Sequence, residues 1–439
     1  MADKTKVRHI DADAEAQKHL ADQLERAKTE RAPEILTALL FALFVAAFAI
    51  SFWIVPDRDF SENENRTLAK MPAITVNSLT AKEDRGKFTS KFAKYMADQF
   101  PLRDAFVVVK GTAELALGKR ENNGVFILGD TLAERFDDVD AANVEKNAAS
   151  VDRFLAACED RGVTAKFAVF GRAMDMTDLP IYGSDATDTA WAKLDGHDFV
   201  DMRAALEGHR DEYVYYRTDH HHTTLGAYYA YRYLAPLLGY EANDVSHYSR
   251  EIASDEFFGT TWSKAGVRRI TPDTIEYFRW DGDEDETVTL HGSSGNEASV
   301  ESEVDPATGS QYYYIWDDDN DAAASVTQTV HTGMYFTEHL GEKDKYASFL
   351  ESATVGRVDV TSPGGAKPKL LVIKDSFAHS LVPFLAEHYD VTMIDPRYYN
   401  QPVIDLVDGE GFDAVLVCCN MASLSTAPDF YKLRMGLDK

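Results

Sequence analysis

Apolar and polar residues are unevenly spread along the chain, and one run dominates its N-terminal part. Ile35 to Val55 (ILTALLFALFVAAFAISFWIV) is uncharged over about the length that spans a bilayer. Residues 1–34 mix Lys, Arg, Asp and Glu with Ala and Gln, and offer little to bury. Further on, Phe88, Phe92, Tyr95 and Met96 fall at helical spacing, and Pro101 breaks the pattern before a second helix. Asn122-Asn123-Gly124 is a turn that leads into a strand at Val125 to Leu128. The periods then alternate. Glu145 to Asp160 reads as helix, Thr164 to Phe170 as strand, and Phe199 to Leu206 as a short helix. Tyr213 to Tyr216 reads as strand and Thr224 to Leu238 as helix. Between Glu251 and about Ala366, turn residues, aromatics, Thr and Asp dominate, which predicts an inserted β-rich region. Leu370 to Ile373, Val391 to Asp395 and Ala414 to Cys419 then read as strands. Ala378 to His388 and Pro402 to Val407 read as the helices between them. Strands alternating with helices predict an α/β fold, a parallel sheet with helices on both faces.

This pattern divides the chain into a tail (1–34), a transmembrane helix (35–55), a juxtamembrane linker with helices (56–120) and a main domain (121–439). The 251–366 insert lies within the last. A cleaved signal peptide is the alternative to a retained anchor. The run is longer than a signal h-region, starts late and lacks a small-x-small cleavage site, which favours the anchor. Arg26, Lys28 and Arg31 crowd its N-terminal flank and only Arg58 lies close beyond it. The positive-inside rule therefore places residues 1–34 in the cytoplasm and everything after Pro56 outside.

The formal net charge of -28 and the absence of a basic stripe argue against a nucleic-acid partner. Three cysteines, Cys158, Cys418 and Cys419, form neither a disulfide framework nor a metal-binding spacing, and all sit in apolar contexts.

The candidate chemistry lies where strands end. The Leu370 to Ile373 strand stops at Lys374-Asp375-Ser376-Phe377, which puts a serine at the C-terminal edge of the sheet. Its hydroxyl lies near helix-start N–H groups, those of Ser376 and Phe377, that can stabilise an oxyanion. A serine there needs a base. Thr218-Asp219-His220-His221-His222-Thr223 supplies one, since a carboxylate two residues before an imidazole can curl back onto one ring nitrogen. Two other readings of that cluster are a metal site formed by the three histidines and a helix cap formed by Asp219 or Thr223. Arg397-Tyr398-Tyr399 fits a binding role or a sheet-edge cluster, and Asn420 fits substrate orientation or loop capping. Asp281, Asp283 and Asp285 lack the glycine and terminal glutamate of a calcium loop. That run and the run at 317–321 read as solvated acidic loops.

Thr218 to Thr223, followed by Gly226-Ala227-Tyr228, closely resembles the signature of bacterial DHHW proteins, relatives of the alginate O-acetyltransferases and of the SGNH hydrolase superfamily. The resemblance extends to Ser61 to Arg66, Phe100-Pro101-x-Arg103-Asp104, Lys374-Asp375-Ser376-Phe377 and Asp395-x-Arg397-Tyr398-Tyr399, in the family's order. It implies a circularly permuted, SGNH-like three-layer sandwich. Ser376 would be the nucleophile, His221 the general base and Asp219 its orienting partner, with no cofactor. Arg397 and Tyr399 would lie near the acyl or sugar group. The implied activity is O-acetyl transfer to, or ester hydrolysis on, a surface polysaccharide, with a membrane-bound O-acyltransferase partner supplying acetyl. The alternative is an inactive glycan-binding or envelope-assembly protein on the same fold. Two positions depart from the pattern. His222 stands in place of the aromatic that would stack on substrate, and residues 349–353 stand where a Gly-Gly-Asn stretch is expected.

Overall fold

The apolar run at Leu370 to Ile373 becomes the centre of a ten-stranded mixed sheet. Its order is Val300–Val304, Gln311–Trp316, Ala323–Thr332, Thr287–His291, Arg357–Thr361, Asp390–Ile394, Lys369–Lys374, Ala414–Asn420, Thr164–Phe170 and Val200–Asp201. The last five strands pair in parallel. The first five pair antiparallel with one another, and Arg357–Thr361 is antiparallel to Asp390–Ile394. The parallel sheet expected from sequence is thus one half, and the other half is built by antiparallel strands of the 251–366 region, expected as a β-rich insert. Helices cover the parallel half, which is why Leu370, Leu371, Val372 and Ile373 are all buried. The Thr287–His291 strand instead alternates buried and part-buried residues.

This computed structural model describes residues 5–61, 66–80, 87–135, 139–176, 184–291, 300–304, 311–316, 323–350 and 356–437. The acidic run at 317–321 lies outside them, as do residues 62–65 and 351–353 of the motif segments.

Side chains alternate across the central strands and build two cores. Leu370, Val372, Leu416 and Cys418 pack with Tyr228, Tyr231 and Leu234 of the Thr224–Leu238 helix. Leu371, Ile373, Val415 and Val417 pack on the other face with Val144, Val151 and Phe154 of the Ala141–Glu159 helix, and with Val403 and Val407 of the Val403–Glu410 helix. All three cysteines are free buried thiols. Burial pushes the Cys158 thiol up to about 12. Within 251–366, Ser249–Phe257 and Asp273–Arg279 form a separate ribbon, while the later strands join the main sheet. Three local expectations change. Phe199 to Leu206 is not one helix: Val200–Asp201 is a strand of the main sheet and only Arg203–Leu206 is helical. Tyr213 to Tyr216 forms no strand, only an isolated bridge from Tyr215 to His222. The helix expected after Ser376 is a 3-10 turn, Ser376–Ala378, followed by a short helix, Val382–Leu385.

The chain falls into two compact units, one reaching residue 61 and including 66–106, the other running from 107 onward. In the first, Pro33–Ile54 of the long Thr5–Ile54 helix is long and apolar enough to cross a membrane. Phe48 stacks on Phe100 at 5.4 Å and Phe52 meets Tyr95 edge-on at 5.7 Å.

Candidate active site

Asp375 fixes the place of Ser376. The Lys369–Lys374 strand lies between two parallel neighbours, and the chain must turn sharply where it leaves the sheet. The Asp375 carboxylate caps that turn, with Oδ1 accepting from the Phe377 N–H at 2.9 Å. Oδ2 accepts from both the backbone N–H and the side-chain Nδ2 of Asn420, each at 2.8 Å. One carboxylate thus ties together the ends of two adjacent strands.

The Asp219 loop is held from below by Asp273, a fully buried carboxylate. It accepts from the backbone N–H groups of Arg217 and Thr218 at 2.8 and 2.7 Å, and from the Thr218 and Tyr213 hydroxyls. The loop closes on itself through Tyr216 N–H to the His221 carbonyl. Asp219 and His221 then project together, 3% and 5% exposed. His221 Nδ1 lies 2.6 Å from Asp219 Oδ1, and its Nε2 lies 2.7 Å from Ser376 Oγ. Asp219 Oδ1 also accepts from the His221 backbone N–H at 3.1 Å. Its Oδ2 accepts from the N–H and hydroxyl of Thr260, at 2.8 and 3.0 Å.

These contacts set the charge states. Burial alone would raise the Asp219 carboxyl, but His220, His221 and the Thr260 N–H hold it far below the usual carboxylate range. Burial, reinforced by His220, pushes His221 down to about 4 against the opposing pull of Asp219. At neutral pH the dyad is therefore carboxylate and neutral imidazole, the state that can take a proton from Ser376. A base with a depressed value is lost only as pH falls through about 4. We expect kcat/KM for ester cleavage to stay flat through the ordinary histidine range and to drop near pH 4. An inflection near the ordinary histidine value of about 6.5 would show that burial does not depress the His221 imidazole.

Several further residues surround the dyad, and Tyr346, Gly259 and Thr260 among them give no sequence signal. Tyr346 stacks on the His221 ring at 3.9 Å, nearly parallel, and donates its hydroxyl to the Ser376 carbonyl at 3.1 Å. Burial pushes its phenol far up, so it remains a neutral donor. Phe377 packs against His221 from another side, at 5.0 Å. Gly259 and Thr260 lie about forty residues from the histidines, Gly259 preceding and Thr260 opening the short Thr260–Ala265 helix. Lys374 is buried, with Nζ 2.6 Å from His379 Nε2 and 3.4 Å from Asp395.

The expected binding residues fall in different places. His222 is fully buried, packed on Phe170 and Phe377 at 5.2 and 5.3 Å, and among the described residues neither ring nitrogen has a hydrogen-bond partner. A substrate cannot stack on it; the position belongs to the core. Asn420 is also buried, and its Oδ1 caps the Met421–Thr426 helix at the Ser423 N–H. Arg397 pairs in a fork with Asp395, through Nε at 3.0 Å and Nη2 at 2.7 Å, and its side chain is 42% exposed. Tyr399 packs half-buried on the second core. The Phe377 N–H, expected to face an oxyanion, is already engaged by Asp375. Asp283 is not solvated; it is buried beside Arg279 at 3.7 Å. Asp219, His220 and His221 place one ligand atom each within 4.8 Å of one another, so the same three residues have the spacing to hold a metal ion. In the geometry described, however, both nitrogens of His221 already have partners.

Residues 199–281 match the family model for the DHHW protein. A DHHW family protein from Eubacterium siraeum shares the fold at 21% identity and a TM-score of 0.51, with 70% of this chain and 93% of that chain covered. Bacillus cereus PatB1, solved with a sulfonyl adduct, aligns at 17% identity and a TM-score of 0.51, covering 70% and 97%. The O-acetyltransferase domain of Pseudomonas putida AlgJ aligns at 14% identity with a TM-score of 0.37, over 69% and 92%. No curated protein matches the chain. Residues 199–281, which carry Asp219, His220 and His221, thus match the DHHW family model, within a chain that shares the fold of the solved DHHW and PatB1 structures.

Proposed function

We propose that this protein is a membrane-anchored, extracytoplasmic serine O-acyltransferase or esterase acting on a cell-surface glycan. The observation that carries the reading is one imidazole bridging a carboxylate at 2.6 Å and a serine hydroxyl at 2.7 Å. His221 Nε2 takes the Ser376 proton as Oγ attacks the acyl carbonyl, and Asp219 holds the tautomer and steadies the imidazolium. His221 then returns the proton to the leaving oxygen. An acceptor hydroxyl or water repeats the sequence and releases Ser376.

Acetyl as the acyl group, and a membrane-bound O-acyltransferase as its source, follow from the sequence resemblance. So does the placing of residues 121–439 as a permuted SGNH-like domain that carries the 251–366 insert. Residues 1–34 would lie in the cytoplasm, the 35–55 helix would be retained as an anchor, and 56–120 would link it to the domain. Arg397 and Tyr399 would flank the acyl or sugar group.

The test is covalent. Full-length protein in detergent, incubated with p-nitrophenyl acetate and quenched in acid, should carry one acetyl group on the peptide containing Ser376. Acetyl found elsewhere, or none, would overturn the reading. It would favour a glycan-binding or envelope-assembly protein, to which the engaged Phe377 N–H also points.

A further inference from the structure

The hydroxyl of Thr260 decides which nitrogen of His220 carries a proton. It has one hydrogen, and the Asp219 carboxylate beside it can only accept. Thr260 therefore donates to Asp219 Oδ2, at 3.0 Å, and toward His220 Nδ1, at 2.9 Å, it can only accept. His220 Nδ1 must carry the proton, so in the neutral ring Nε2 is a bare acceptor. Among the described residues Nε2 has no hydrogen-bond partner, and the His220 side chain is 32% exposed. Its ring lies 3.8 Å from that of His221 and lines a small cavity beside Asp219. Leu132, Ala133, Glu134, Arg172 and Met174 form other walls of this cavity.

We infer that His220 Nε2 holds the acyl acceptor, by accepting a hydrogen bond from a hydroxyl next to the one that reacts. This rests on the acyl-transfer reading and specifies its second half. The reacting hydroxyl gives its proton to His221 Nε2, and its oxygen bonds to the acyl carbon. The Ser376 Oγ–acyl bond breaks and Oγ regains the proton from His221. His220 exchanges no proton. Its bond is available to a polyol such as a sugar ring, and water or a monohydric alcohol has no second hydroxyl to make it. His220 is thus a specificity-determining residue that favours a diol acceptor over water.

The experiment uses full-length protein, p-nitrophenyl acetate as donor, and either methyl glucoside or ethanol as acceptor. In His220→Phe, which keeps a ring against His221, transfer to the glucoside relative to ethanol should fall about tenfold, through a higher apparent KM for the glucoside. His220→Gln, which presents an amide oxygen at similar reach, should restore most of that ratio. An unchanged ratio, or an equal loss with both acceptors, would overturn the inference, as would a wild type that never prefers the glucoside. If the wild type forms no acetyl-enzyme, the acyl-transfer reading itself fails. Glucoside binding followed by NMR then still decides the subsite, with affinity about tenfold weaker in His220→Phe supporting it and equal affinities overturning it.

Discussion

Ser376→Ala and His221→Ala each lower acetyl-ester hydrolysis by about 10³-fold or more, and the double variant is no slower than either single one. That is the expected result for two groups acting in one proton transfer. His221 Nε2 and Ser376 Oγ share one hydrogen bond at 2.7 Å, and removing either end leaves nothing for the other to do. The measurement is the initial rate for purified full-length protein, with near-ultraviolet circular dichroism to confirm native packing in each variant. Ser376 is part-exposed, so its alanine variant should fold. Independent, multiplicative losses would point to two separate roles. Equal rates in all four proteins would remove the triad and leave a binding protein as the better reading. A chelator separates the metal alternative, because the triad needs no ion and rates should not respond to it.

What was legible in the sequence is what sequence-local physics encodes. Thr164–Phe170 and Thr224–Leu238 form as their periods predict, because each is amphipathic or apolar over its own length. The Asp219–His221 pair is local too, since two residues of separation suffice for the carboxylate to reach the ring. That the β-rich 251–366 region extends the main sheet was missed for a related reason. Strand direction depends on partners, and nothing within Thr287–His291 or Arg357–Thr361 says that they will extend the parallel half with antiparallel strands. His222 was misplaced because a histidine in a polar-looking cluster reads as available, whereas the bridge from Tyr215 to His222 turns its ring into the core. Tyr346, Gly259 and Thr260 were invisible. Thr260 contributes two donors, Tyr346 a ring and a hydroxyl, and Gly259 an absence of atoms, 30 to 41 residues of chain from Ser376 or Asp219, and no spacing rule connects them to these.

Gly259→Ala should therefore be the most damaging substitution outside the three proposed reacting residues, lowering activity by about 10²-fold. The backbone at Gly259 is ordinary, with φ −79° and ψ −167°, so conformation does not demand glycine; space does. A Cβ there would lie 2.3 Å from both Cβ and Oδ2 of Asp219, far inside van der Waals contact. Asp219 cannot yield freely, because Oδ1 holds His221 and Oδ2 holds Thr260. Nor can the glycine yield freely, since its N–H donates to the buried Thr218 hydroxyl at 3.1 Å. Something must shift, and each available shift loosens the carboxylate that orients the base. The overpacking should also cost about 1–3 kcal/mol of stability. Two measurements check this, kcat for acetyl-ester hydrolysis and the denaturant midpoint, with Gly341→Ala as comparison. Gly341 has no heavy atom within 4 Å of its would-be Cβ, so its variant should match the wild type in both. If Gly259→Ala keeps the wild-type kcat and loses only stability, the position of Asp219 does not govern the reaction, and the carboxylate serves the loop rather than the base.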